Sequence, residues 1–240
     1  AVRGAKAMIA DGRLGRPFGG TCIFNMALFN RQDPRFPYTW FARAGTGVSA
    51  VRNLGSHALH MLIHLFGPIE SVVAFETQVL PDYAFTDGTT LPAETKDFVS
   101  ALLRFANGMT IQFQICWNAP LGRGFHLEAY GSGGRFTIDA PSFPTVKDTV
   151  LHTGLLGDPA MTRVPLTGAE RAAPGIAIDA DHPVPPAFPM ALSMQAMIRA
   201  IEGDGPARPD FGQAWQVERV QEAIRLSAIG GRWVALAEIA

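Results

Sequence analysis

The chain has 240 residues, 48% hydrophobic and 17% charged, a globular composition rather than a disordered or fibrous one. With 20 basic and 21 acidic residues and no basic run of five, it lacks the clustered positive charge that nucleic-acid binding needs. No apolar run approaches the ~18 residues of a membrane span, and at this length the chain buries roughly 70–75% of its unfolded surface without metal or disulfide staples.

The opening AVRGAKAMIADGRLG has no signal-peptide core or cleavage site. Residues 2–11 read as a short helix ended by Gly12 and entered from an upstream segment. Residues 16–30 read as a strand, followed by a loop around Pro34 and Pro37. The glycines of GTGVSAVRNLGSHALHMLIHLFGP mark a turn, and its second half reads as a helix stopped by Gly67 and Pro68. From about residue 69 the pattern changes to short β runs: 71–80, 96–106, 109–117, 125–131 and 134–140, with weaker ones near 147–153 and 160–166. Asn107-Gly108 and Gly131–Gly134 separate them, and Asn-Gly between apolar runs is a strong hairpin signal. Residues 168–187 read as a loop, and helices at 188–203 and about 211–232 close the chain. The expected fold class is α+β: one domain over 1–240, a large, mostly antiparallel open sheet with helices packed on one face. The βαβα alternation of a nucleotide-binding domain is missing, as is any G-x-G-x-x-G between strand and helix. Cys22 and Cys116 lie in separate apolar runs and form no disulfide framework, which points to a reducing, cytoplasmic setting.

One segment stands out. On a helix from Leu54 to Phe66, Asn53, His57, His60 and His64 fall within a ~60° arc, and the rest of the surface is almost wholly apolar. A helix apolar nearly all round is buried, and a buried polar stripe needs partners. Three readings compete: core histidines bonded to carbonyls; a metal site on H-x-x-H-x-x-x-H, with no acid or cysteine on the helix to complete it; and acid–base catalysis by an imidazole near neutrality.

The run YTWFARAGTGVSAVRNLGSHALHMLIHLFG resembles the second domain of the Gfo/Idh/MocA oxidoreductases, a family that includes glucose–fructose oxidoreductase and inositol dehydrogenase. Its pattern is a Trp, a Gly-rich turn, then D-x-G-x-H-x-x-D leading a helix that ends in L-x-G. Trp40 matches the Trp, Gly45-Thr46-Gly47 the turn, Gly55 and His57 the G and H, and Leu65-Phe66-Gly67 the helix end. The turn in EAYGSGGRFTID and the closing helix also follow the family's order of elements. Two positions depart: Asn53 and His60 stand where the family has carboxylates. The resemblance implies that His57 takes the proton of a substrate hydroxyl while a hydride passes to NAD or NADP. It further implies Asn53 as the residue that orients His57 or substrate, with His60 and Trp40 on the substrate side. The nucleotide-binding Rossmann domain, with the family's Glu-Lys-Pro, is absent from this chain.

Other residues carry weaker readings. Arg52 can bind an anionic substrate group or form a salt bridge, and Arg43 is in the same position. Trp117 can line a substrate pocket at a strand end or pack in the core. Gly131–Gly134 joins two strands, which favours a tight turn over a phosphate cradle. Cys116 and His126 read as structural, and His152 and His182 carry no assignment. The run 95–140 is apolar on both alternations, which calls for cover on both sheet faces. A second copy would supply one cover, as family members tend to pair through this sheet, so a homodimer or higher oligomer is expected. The function that follows is the substrate-binding half of an NAD(P)-dependent oxidoreductase acting on a sugar, polyol or related hydroxy compound. The alternative is a non-catalytic ligand-binding or regulatory module on the same scaffold.

Overall fold

A computed structural model describes residues 1–239. Helix α1 (Val2–Ala10) leads into strand β1 (Pro17–Asn25). Two 3-10 turns (Thr39–Ala42, Ala44–Thr46) and a π-helical turn (Val51–Gly55) precede α2 (Ser56–Phe66). Strands β2 (Ile69–Thr77), β3 (Asp82–Ala84), β4 (Thr90–Pro92), β5 (Phe98–Phe105), β6 (Thr110–Cys116), β7 (Gly124–Gly131), β8 (Gly134–Ala140), β9 (Val150–Leu155) and β10 (Thr162–Val164) follow. Helices α3 (Gly168–Arg171), α4 (Ala187–Ile201) and α5 (Phe211–Gly230), strand β11 (Val234–Ala235) and a 3-10 turn (Leu236–Glu238) complete the described elements.

Nine strands form one sheet in the order β10-β9-β8-β7-β1-β6-β5-β2-β11, and β3 and β4 make a separate hairpin. Every pairing of the large sheet is antiparallel except β1 with β6. The α+β class with a mostly antiparallel open sheet is therefore as expected, but a plain meander is not what forms. Strand β1 inserts between β6 and β7, so the chain from β6 crosses its end before returning as β7. The run 16–30 leaves the ladder at Asn25, keeping only the isolated bridge Ala27–Asn118 beyond it.

One sheet face is dry. Cys22 and Phe24 of β1, Ile111, Phe113 and Ile115 of β6, and Leu127 and Ala129 of β7 lie on it, all buried. Burying each large side chain contributes about 1.5–3 kcal/mol. Helix α2 lies over this face, with Phe66 edge-on to Phe105 and stacked on Phe136. It sits between α1, whose Lys6 Nζ donates to the His64 carbonyl at 2.6 Å, and α5, whose Gln213 reaches His60. Helix α5 is stapled to β2 through buried Ser227, whose Oγ accepts from the Ala74 amide at 2.9 Å and donates to the Arg232 carbonyl. Helix α4 is held less: only Phe188 is buried, and Met190, Met194, Met197, Ile198 and Ile201 are exposed.

The opposite face differs from the expectation of an apolar layer. Alternation places Thr21, Gln112, Gln114 and Ser100 there beside Ile23, Leu102, Val73 and Phe75, a mixed surface. Cys22 and Cys116 lie on opposite faces, buried and free. Among the described residues, no helix is long and apolar enough to cross a membrane.

Candidate active site

The segment leading into α2 is wound more loosely than a helix. The Gly55 amide donates to the Ala50 carbonyl at 3.0 Å, five residues back, and the Asn53 amide donates to Ser49 at 2.9 Å. A Cβ on Gly55 would lie 3.1 Å from Val51 Cγ2, so glycine suits this tight turn. π-turns of this kind recur at functional sites. Here the turn presents Asn53 ahead of the regular helix, where Ser56 Oγ donates to its carbonyl at 2.6 Å. Gly67, at φ +90°, ends the helix in a conformation that favours glycine.

The polar stripe is the open edge of α2 rather than the lining of an enclosed cavity. Ala58, Leu59, Leu62, Ile63, Leu65 and Phe66 are buried. His57 and His64 are exposed, and Asn53 and His60 are partly so. The physical reason is that the apolar arc packs on the sheet and turns the imidazole arc outward. His57 lies edge-on to Phe143, with ring centroids 5.1 Å apart, and Phe143 in turn lies edge-on to Phe24. Partial burial lowers the His57 pKa, and the neighbouring His60 lowers it further. Burial also lowers His60, and burial followed by Lys6 lowers His64. His60 Nδ1 is 3.2 Å from Gln213 Nε2, which also donates to the His60 carbonyl at 3.3 Å. That geometry makes Nδ1 the acceptor and leaves the Nε2–H outward.

Among the described residues, no group of three or more His, Cys, Asp or Glu side chains is disposed to hold a metal ion. No other side chain there hydrogen-bonds to the His57 ring. The imidazole is therefore a neutral, partly desolvated acceptor, open on one side.

The remaining sequence candidates are dispersed. Trp40 sits on the first 3-10 turn, 47% exposed, against Tyr38 and Phe41. Arg52 turns towards α5, pairing with Glu218 at 3.0 Å and Glu222 at 3.7 Å. Trp117 corrects the pocket-wall expectation. It is 0% exposed, and its Nε1 donates to Tyr83 Oη at 3.1 Å. Tyr83 Oη bonds Asp97, a fully buried carboxylate that also accepts from the amides of Val79 and Leu80 and from Asn118 Nδ2. The site neighbours that sequence reasoning missed are Phe143, Gln213 and Lys6, each brought in by long-range packing that no local pattern signals.

Residues 2–137 match the family model described as the GFO/IDH/MocA C-terminal domain. The chain belongs to the GFO/IDH/MocA family. Levoglucosan dehydrogenase of Pseudarthrobacter phenanthrenivorans is 25% identical over 269 aligned residues, covering 100% of this chain and 64% of that protein. An uncharacterized oxidoreductase of Synechocystis is 30% identical over 112 residues, 45% of this chain and 30% of its own. The crystal structure of an NAD binding oxidoreductase from Klebsiella pneumoniae superposes with a TM-score of 0.78 at 25% identity, covering 97% of this chain and 62% of that one. Levoglucosan dehydrogenase in complex with NADH and levoglucosan gives a TM-score of 0.79 at 23% identity, again over 97% and 62%. The chain thus spans under two thirds of the length of these relatives.

Proposed function

We propose that this chain is the substrate-binding half of an NAD(P)-dependent oxidoreductase that oxidises or reduces a CH–OH carbon of a sugar, polyol or related hydroxy compound. The observation that carries the reading is His57: an imidazole held neutral by partial burial, open on one side, on the helix that matches the family's histidine motif. A neutral imidazole at pH 7 accepts the hydroxyl proton as the C–O bond becomes a carbonyl, and it returns that proton in the reverse direction. The nicotinamide, supplied by sequence outside these residues, would accept or give the hydride from the same carbon. Asn53, one turn before His57, offers an amide donor and acceptor to orient a hydroxyl or the ring. The Gln213 bond fixes His60 as a neighbour that disfavours a second positive charge. The relatives named for levoglucosan and NADH support a sugar substrate and a nicotinamide cofactor. The two free buried thiols fit a reducing cytoplasm. A homodimer or higher assembly through the open sheet face is part of the same proposal.

A second reading has its own observation. No carboxylate lies among the groups that set the His57 pKa, and Asn53 and His60 stand where the family has acids. An imidazolium without a nearby acid is a poorer intermediate, which fits a non-catalytic ligand-binding module. Protein expressed from the complete gene, assayed with NAD and NADP against sugars and polyols by nicotinamide absorbance, decides between them. Turnover that His57→Ala lowers by about 100- to 10,000-fold supports the first reading. Turnover that survives His57→Ala removes His57 from catalysis, and ligand binding without turnover favours the second.

A further inference from the structure

The other side of the segment that carries His57 holds a cleft of about 730 Å³, between residues 44–52, the end of β2, residues 94–96 and the second half of α5. That volume lies within the roughly 300–1,000 Å³ of small-molecule sites. Arg52 leaves the chain from the π-turn, ahead of the regular helix that carries His57. His57 faces Phe143, whereas Arg52 faces α5 and lines the cleft. The two surfaces are therefore separate.

Two acceptors in the cleft have no donor among the described residues. Gln221 is 1% exposed; its Nε2 reaches the Val51 carbonyl at 3.5 Å, and its Oε1 has no partner. A buried amide oxygen left unpaired is costly, and a donor entering the cleft relieves it. Glu76, on the dry-face alternation of β2, has no hydrogen bond or ion pair among the described residues. Burial holds its carboxyl above the ordinary carboxylate range, against the pull of Lys96, Arg52 and Arg225. The cations at the mouth are unequal. Arg52 and Arg225 share Glu222, while Lys96 is exposed and has no ion-pair partner among the described residues.

We propose that this cleft is a second binding site and that its ligand is a small polyhydroxylated carboxylate, such as a sugar acid. Hydroxyls donate to Gln221 Oε1 and Glu76, and the carboxylate pairs with Lys96, the cation at the mouth that Glu218 and Glu222 leave unpaired. A neutral polyol meets the two acceptors but leaves Lys96 without a counter-charge, so it binds more weakly.

The test is calorimetric titration of D-gluconate, with sorbitol as the neutral control, into protein expressed from the complete gene. Gluconate is expected to bind, with its affinity reduced about tenfold or more by Lys96→Ala and by Gln221→Leu, and unchanged by His57→Ala. Lys96 is exposed, so its variant folds normally; an unchanged melting temperature checks this for Gln221→Leu. No gluconate binding at ~10 mM overturns the proposal. So does binding that His57→Ala removes and Lys96→Ala spares, because the ligand then sits on the His57 face. Sorbitol binding as tight as gluconate overturns the carboxylate assignment.

Discussion

An imidazole partly withdrawn from water releases its proton more readily than one fully hydrated, because desolvation penalises the charged form. His57, His60 and His64 all carry this shift downward. In the unfolded chain they titrate near 6.5. Between that value and their lower folded values the unfolded state binds more protons, so stability rises with pH across this window. Their contribution is complete above about pH 6.5 and is lost as pH falls through the window. Melting temperature should therefore drop between about pH 7.5 and 5.5, and a triple His→Asn variant at these positions should flatten that drop. Equal slopes for both proteins would mean that other groups set the acid limb. Asn53→Asp tests the local field. A carboxylate one turn before His57 favours the imidazolium, so the His57 ring titration followed by NMR should move up, by roughly half to one pH unit. An unmoved titration would place residue 53 too far from the ring to orient it. The histidine spacing that motivates both experiments was plain in the sequence. The openness of the stripe was not, because the choice of arc that meets the sheet depends on residues distant in sequence, such as Phe105 and Phe136.

At the level of elements, the local patterns that span a full period were legible. The hairpin around Asn107-Gly108 forms as expected, with the Asn107 side chain accepting from the Met109 amide. The shortest strands were not: β3 and β4 have three residues each, too few to repeat the two-residue alternation convincingly. The π-turn was invisible for another reason. Its i→i−5 bond depends on how closely Gly55 packs on Val51, and composition does not report this. The start of α5 links element to site. Asp210 caps it by accepting from the Gln213 amide at 2.9 Å, and the Gln213 side chain reaches His60. Contacts along α5 run in the opposite order to the chain entering α2: Gln213 meets His60, and Glu218 and Gln221 further on meet Arg52 and Val51. Asp210→Ala should cost about 1 kcal/mol in denaturant unfolding. It should also speed amide exchange in the first turn of α5 and release the Gln213–His60 contact, seen as a change in His60 titration. A stability loss with no change at His60 would show that the cap holds the helix but not the site.

For the whole molecule, the sheet has one face that needs no partner and one that leaves the question of a partner open. The dry face is closed by α1, α2 and α5. The other carries Ile23, Val73, Leu102 and Phe75 between Thr21, Ser100, Gln112 and Gln114, and Phe75 is 60% exposed. Continuous apolar runs in the sequence suggested a second dry layer. Register shows instead that the polar residues of β5 and β6 gather on this side. Mixed surfaces of this kind are ordinary for protein interfaces, whose overall polarity resembles the rest of the surface and whose centre is apolar. A stable pair needs about 800 Å² from each partner, and a nine-stranded face is broad enough to supply it. In a two-fold pair packed through this face, residues near the axis meet their own copies, so a single charge there is repeated across the interface. Leu102→Glu with Phe75→Glu should therefore convert a dimer to a monomer, measured by light scattering at tens of micromolar. Both side chains point away from the dry core, so the monomer should keep its melting temperature to within the loss expected from dissociation. A wild-type protein that is already monomeric at that concentration rules out assembly through this face. A dimer that survives both charges places the contact elsewhere, with the exposed methionine face of α4 the next surface to charge.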